Sequence, residues 1–160
     1  MKLLSSLPLV AALVACSGYA PTGVQSGQTA DDVARLMGAP TARYPLSDGT
    51  TRLEYARGPL GRDTFMIDLD TSGKVVEWTQ VLTEQMFLEI NPGMSERQLL
   101  LTLGTPGRVF AIPRQQLKVW NYRYHNNDCL LFQVSVGDDG QVVAAGHGLD
   151  YACEGPNDRH

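Results

Sequence analysis

The feature that most constrains this chain is that it matches itself. Thr29-Ala30-Asp31-Asp32-Val33-Ala34-Arg35-Leu36-Met37-Gly38-Ala39-Pro40 lies over Ser95-Glu96-Arg97-Gln98-Leu99-Leu100-Leu101-Thr102-Leu103-Gly104-Thr105-Pro106. The offset is 66 throughout: 93 − 27 for the glycines that precede the match, 104 − 38 for those that close it. Self-similarity of this kind marks one supersecondary unit used twice, and each copy reads as a short helix. Thr29 and Ser95 stand at the N-cap, where a hydroxyl accepts from exposed amides of the first turn. Asp32 and Gln98, three residues on, complete a capping box. Val33, Leu36 and Met37, like Leu99, Leu100 and Leu103, recur at helical spacing. Gly38 and Gly104 suit the end of a helix, and Pro40 and Pro106 prevent its continuation.

Downstream the offset grows to 67. Leu53-Glu54-Tyr55 lies over Trp120-Asn121-Tyr122, and Phe65, Ile67 and Leu69 lie over Phe132, Val134 and Val136. The turn Asp70-Thr71-Ser72-Gly73 lies over Gly137-Asp138-Asp139-Gly140. Apolar alternation on both sides of glycine-bearing turns reads as antiparallel hairpins. The expected fold class is α+β: a tandem repeat of a short helix plus an antiparallel β-meander, with the helices packed on one face of a single twisted sheet. The expected boundaries are a leader over 1–15, a tether over 16–26, and repeats over 27–82 and 83–155. A helix from Thr83 to Ile90 introduces the second repeat. Each repeat, at roughly 60 residues, is marginal alone, so mutual dependence is expected.

The N-terminus has the marks of an export signal. Met1-Lys2 precedes an apolar run of 13 residues, Leu3 to Ala15, that contains Pro8. That is too short for a membrane span, which needs roughly 20 residues, and fits a cleaved leader. Leu13-Val14-Ala15-Cys16 resembles the lipobox of bacterial lipoproteins. The resemblance implies cleavage before Cys16 and lipid on its thiol, giving stable anchoring to a membrane. Ser17, being other than Asp, points to the outer membrane. Two cysteines then remain in an oxidising compartment, Cys129 and Cys153, and a disulfide between them is the simplest expectation. The alternatives are two free thiols, or a metal site drawing on His125 or His147, for which the ligand spacing is missing.

Charge and chemistry narrow the function. The net charge is −4 with no run of Lys or Arg, which argues against nucleic acid and against a membrane held by charge alone. His125, His147 and His160 have no catalytic partner by spacing. Glu54, Asp68 and Asp70 read as a solvated sheet face rather than an acid–base pair, and no glycine-rich phosphate loop follows a strand. No catalytic residue, metal ligand or cofactor is expected. By period-two alternation Trp120, Tyr122 and Tyr124 share the core face of one strand. The opposite face carries Glu54, Met66, Asp68, Asn121, Arg123, Leu131, Gln133 and Ser135, with Trp78 placed there as well. Its mixture of Met, Leu, Trp and Arg with polar groups is that of a protein-binding surface, and also that of an ordinary solvated sheet face.

Gly93-Met94-Ser95, Leu103-Gly104-Thr105-Pro106 and Trp120-Asn121-Tyr122 resemble the Gly-Met-Thr helix start, Leu-Gly-x-Pro helix end and Trp-x-Tyr strand of the SmpA/OmlA family. That family includes BamE, a small lipoprotein of the outer-membrane β-barrel assembly machinery. Gly27-Gln28-Thr29, Met37-Gly38-Ala39-Pro40 and Leu53-Glu54-Tyr55 match more weakly. BamE has one such unit and this chain two, an arrangement similar to β-lactamase inhibitor protein, whose two related units form a concave sheet that grips an enzyme. The resemblance implies a non-enzymatic lipoprotein on the periplasmic face of the outer membrane. It would act as a scaffold or binding module for another envelope protein, in outer-membrane protein assembly. The other expectation is a periplasmic inhibitor or regulator of an enzyme.

Overall fold

The computed structural model describes residues 20–153, so the leader, Cys16 and the last two residues of the second expected repeat lie outside the described residues. The first half opens with helix α1, Ala30–Met37, followed by strands β1 (Ala42–Pro45), β2 (Thr51–Ala56), β3 (Thr64–Leu69) and β4 (Val75–Gln80). A single helical turn, α2 (Glu84–Phe87), leads into the second half. There helix α3, Glu96–Leu103, precedes β5 (Arg108–Ile112), β6 (Leu117–Arg123), β7 (Leu130–Gly137) and β8 (Val142–Leu149). The fold is α+β, with two four-stranded antiparallel sheets ordered β1-β2-β3-β4 and β5-β6-β7-β8. The single sheet expected from sequence is therefore replaced by two. The chain leaves β4 into α2 and α3, and β5 pairs only with β6. Among the described residues no helix is long and apolar enough to cross a membrane.

The two halves are built locally in the same way. Both helices start on a capping box, Thr29 with Asp32 and Ser95 with Gln98, which satisfies otherwise orphaned first-turn amides. The chain just before each helix is pinned to the last strand of its sheet. Gly27 N donates to Val75 O and Val75 N to Gln28 O; Gly93 N donates to Val142 O and Val142 N to Met94 O, all at 2.7–2.8 Å. This pinning explains why the segment expected as a tether is not one throughout. Just upstream of it, Val24 is buried in the first core and Ser26 Oγ donates to Val75 O. Val33 and Met37 of α1 share a core with Leu53, Tyr55, Phe65 and Ile67. In the second half, Leu99 and Leu103 share one with Trp120, Tyr122, Phe132 and Val134, and Phe87 of α2 stacks on Phe132.

The halves meet through α3, which also lies against the first sheet on the face that α1 does not cover. Met66 of β3 belongs to the second half's core. Glu54 is fully buried, and its carboxylate accepts from Tyr44 OH at 2.5 Å and from Thr105 N, just past the end of α3, at 3.0 Å. Burial, and then the hydrogen bond to Glu54, push the Tyr44 phenol well above its ordinary range. Arg52 forks onto Asp68 at 2.6 and 2.7 Å and sends a third N–H to Leu101 O at 2.7 Å. The short bonds to charged acceptors are the strong kind.

Gly104 makes this close approach possible. Its φ of 79° and ψ of −168° lie in a region open only to glycine. A Cβ there would sit 2.9 Å from Thr64, 3.0 Å from Glu54 and 3.1 Å from Met66. Gly38, at the end of α1, has the same backbone but nothing within 4 Å of a would-be Cβ. Gly38→Ala should therefore lose only the backbone strain, about 1–3 kcal/mol. Gly104→Ala should lose that and about 1–3 kcal/mol more from overpacking. Glu54→Ala, which leaves the part-buried Thr105 amide and Tyr44 hydroxyl without their acceptor, should cost roughly 1–3 kcal/mol. Urea unfolding measures all three, and equal losses for the two glycine variants would count against α3 pressing on the first sheet.

Candidate protein-binding face

The residues expected on one binding face do not all stay together. Asn121, Arg123, Leu131 and Gln133 are brought together on the uncovered face of the second sheet. Glu54 and Met66 are buried at the junction with α3, and Asp68 is half-buried there in its ion pair with Arg52. They form an internal interface because the second half occupies the face that solvent was expected to occupy. Trp78 is on the other side of its sheet altogether, paired with Ile67 and edge-to-face with Phe65 at 5.9 Å. The cause is a β-bulge: the partner of Leu69 is Val75 while that of Asp68 is Glu77. The extra residue, Val76, reverses the parity of everything after it on β4.

The uncovered face of the second sheet is a trough of about 650 Å³. Strand register lays out its floor. Leu131, Gln133 and Ser135 of β7 stand opposite Arg123, Asn121 and Val119 of β6, and Asn121 and Val119 stand opposite Arg108 and Phe110 of β5. On the other side of β7 their partners are Gly148, Gly146 and Ala144 of β8. Large residues on β5 and almost bare backbone on β8 make the face concave. The side-chain amide of Gln133 lies over Gly148, in the space that a Cβ there would take. Leu60, from the β2–β3 loop, stands at one rim, and Leu149 and Tyr151 at another; all three are exposed.

The polar groups of the trough are held rather than loose. Gln133 Nε2 donates to Asn121 Oδ1 at 3.0 Å. Arg123 Nη2 donates to Asp150 Oδ1 at 2.7 Å, in a pair whose side chains are mostly buried. Arg108 places its guanidinium 4.7 Å from the centroid of the Phe110 ring, a cation–π distance. The result is an apolar trough carrying a few fixed hydrogen-bonding groups and an exposed aromatic–arginine pair, the composition of an interface centre. Sequence reasoning missed Arg108, Phe110 and Ile112 on this face. Their alternation along β5 was the available signal, but the register that assigns a side to it is set by β6.

The remaining sequence-derived groups lie elsewhere. Trp120, Tyr122 and Tyr124 are buried in the second core, and the Tyr122 hydroxyl donates to Gly104 O at 3.1 Å. His125 Nε2 is 3.1 Å from Asp63 and His147 Nε2 is 3.2 Å from Glu84, two separate surface pairs. Burial and a hydrogen bond to Glu84 push the Tyr124 phenol up to about 12. Among the described residues no three His, Cys, Asp or Glu side chains gather into a metal site.

Cys129 and Cys153 are both thiols, and they are neighbours: the hydrogen bond between them is the largest cause raising the Cys129 thiol. Asp150 ties the two together, since its N–H donates to Cys129 O at 2.7 Å and its carbonyl accepts from Cys153 N at 2.8 Å. Asp150 is also the partner of Arg123, so the cysteine pair braces one end of the trough. Mild oxidation should remove both thiols from titration without forming disulfide-linked dimers. Reduction of the oxidised protein should then cost about 3 kcal/mol in urea unfolding, the entropy of opening a loop of this size. Two thiols persisting under oxidation would show that the sulfurs do not come within bonding reach.

No family model and no curated protein matches the chain. Among solved structures it is similar to a DUF4309 family protein, YjgB, from Bacillus subtilis, with 16% sequence identity over 76% of this chain and 78% of that one, at a TM-score of 0.29.

Proposed function

We propose that this protein is a non-enzymatic, lipid-anchored binding module of the bacterial cell envelope, and that the trough on the second sheet is where it grips a partner protein. The observation that carries the reading is the gathering of Asn121, Arg123, Leu131 and Gln133 into one uncovered, concave, mostly apolar face. A trough with buried polar anchors, and with Phe110 and Tyr151 exposed beside it, suits a protruding segment of another protein. The chain is read as a tandem repeat, with units over 27–82 and 83–155. Supporting this are the matched capping boxes, the matched Gly-x-Pro helix ends and the identical strand orders. Each helix is read as packing on one face of its own sheet, supported by the clusters that join Val33 to Leu53 and Leu99 to Tyr122. The anchor is Cys16, on the strength of the lipobox, and the location is the periplasmic face of the outer membrane. The motifs shared with the SmpA/OmlA family favour a role in outer-membrane protein assembly.

In-cell crosslinking of the full lipoprotein, followed by mass spectrometry of what is joined to it, tests this. A discrete partner should be recovered. Gln133→Arg, which puts a charge on the trough floor, should lower its yield roughly tenfold, equivalent to about 1.4 kcal/mol of binding. Thr71→Lys, on the exposed β3–β4 turn, should leave the yield unchanged. Recovery of barrel-assembly components would identify a scaffold, and recovery of one soluble enzyme an inhibitor or regulator. Equal yields from both variants would remove the trough from consideration as the grip.

A further inference from the structure

The junction inside the chain has two sides, and a counterpart of each is found elsewhere in the molecule, outside that junction. Inside, the socket is the outer face of the first sheet and the plug is the C-terminal end of α3. On the 67 offset, the socket residues Glu54, Thr64 and Met66 correspond to Asn121, Leu131 and Gln133, the floor of the trough. On the 66 offset, the plug residues Leu101, Gly104 and Thr105 correspond to Arg35, Gly38 and Ala39 at the end of α1. The two helix ends share one backbone, φ 84° and ψ −167° at Gly38 against φ 79° and ψ −168° at Gly104. Yet Gly104 is buried and Leu101 half-buried, whereas Gly38 and Arg35 are exposed and Leu36 beside them is 38% exposed; Ala39 is exposed, as is Thr105.

We propose that the trough receives the C-terminal end of α1 from a second copy of this chain, head to tail. The proposal rests on the tandem-repeat and binding-face readings above and names the occupant of that face. The chemistry carries over from the internal joint. Thr105 N donates to the Glu54 carboxylate, and Ala39 N would donate to Asn121 Oδ1 in the same place. That oxygen already accepts from Gln133 Nε2, and a carbonyl oxygen has a second lone pair to offer. Leu36 would meet the apolar lining that Leu131, Phe110 and Leu149 provide. One contact is missing, because Val119 stands where Arg52 reaches the carbonyl of Leu101. The joint between copies is therefore weaker than the one within the chain, and reversible. It is also heterologous, with plug and socket on different surfaces, so it extends into an open chain of copies unless the geometry closes a ring.

Sedimentation velocity on the full chain carrying Cys16→Ser, over a concentration series up to about 1 mM, reads this directly. The weight-average mass is expected to rise with concentration and pass that of a dimer. Ala39→Trp, which spoils the plug, and Gln133→Arg, which spoils the socket, should each hold the chain as a monomer. Mixed in equal amounts they should form a dimer and stop there, because the mixture contains one sound plug and one sound socket. A wild-type chain that stays monomeric throughout would overturn the proposal. So would variants that stay apart when mixed, since a sound plug and a sound socket would then be present without pairing, and so would an Ala39→Trp variant that still self-associates, which is the mark of trough-to-trough contact. If the wild type is monomeric while Gln133→Arg still abolishes crosslinking to an envelope protein, this proposal fails and the binding-face reading survives. If crosslinking is also indifferent to Gln133→Arg, both fall.

Discussion

The buried carboxylate of Glu54 is the constraint on which the rest of the arrangement depends. A carboxylate withdrawn from water is tolerated only when its oxygens are satisfied. Here Tyr44 supplies one donor from the same sheet and Thr105 supplies the other from beyond the end of α3. Neither half alone can provide both. The bond to Thr105 fixes where α3 sits on the first sheet. Because α3 also carries the core of the second half, it fixes where the second sheet lies as well. Arg52 adds direction to this, since its fork onto Asp68 leaves a donor aimed at Leu101 O. The specificity of the junction is thus polar, while its area comes from Met66, Leu99 and Leu103.

The same position in the second half holds Asn121, and the whole set changes with it. Glu54, Arg52, Asp68 and Met66 give way to Asn121, Val119, Ser135 and Gln133. The acceptor and donor that Glu54 and Arg52 offer to the end of α3 have no charged counterpart at these positions, and the charged pair of the trough, Arg123 with Asp150, stands beside them instead. A neutral amide can be wetted or bound at a cost of only about 1–3 kcal/mol. The outward residues of β8 are Ala144, Gly146 and Gly148, and their small size leaves the room that makes this face a trough.

What was legible in the sequence is what depends on short range. The capping boxes at Thr29 and Ser95, the glycine ends at Gly38 and Gly104, and the hairpin turns at Gly73 and Gly140 are each specified within a few residues and lie where the sequence puts them. Half of the candidate face was legible for the same reason, since alternation along β6 and β7 assigns Asn121, Arg123, Leu131 and Gln133 to one side. What was not legible is which surfaces meet. Glu54 and Met66 carry no local mark of burial, and a Glu in a strand is usually on a wet face. Their burial follows from α3 arriving about fifty residues later in the chain, a fact visible only once Thr105 is seen at Glu54.

The misplacement of Trp78 has a cause that repeats. In both sheets the last strand carries one extra residue just after the turn, Val76 in β4 and Val143 in β8, and both are exposed. A bulge reverses parity and sharpens the local twist. In the first sheet the reversal turns Trp78 toward the α1 side, where it caps Phe65 at the edge of the core. In the second it turns Ala144, Gly146 and Gly148 outward onto the trough and His147 inward beside Phe87, Tyr124 and Phe132. Were Val143 paired in register with Ser135 rather than bulged, His147 and Ala145 would fall on the uncovered face and the glycines would lie against the core. The trough would then be partly filled by an imidazole, and the second core would lose an aromatic neighbour. The bulge at Val143 thus decides which residues of β8 line the trough and which stand beside Phe87, Tyr124 and Phe132.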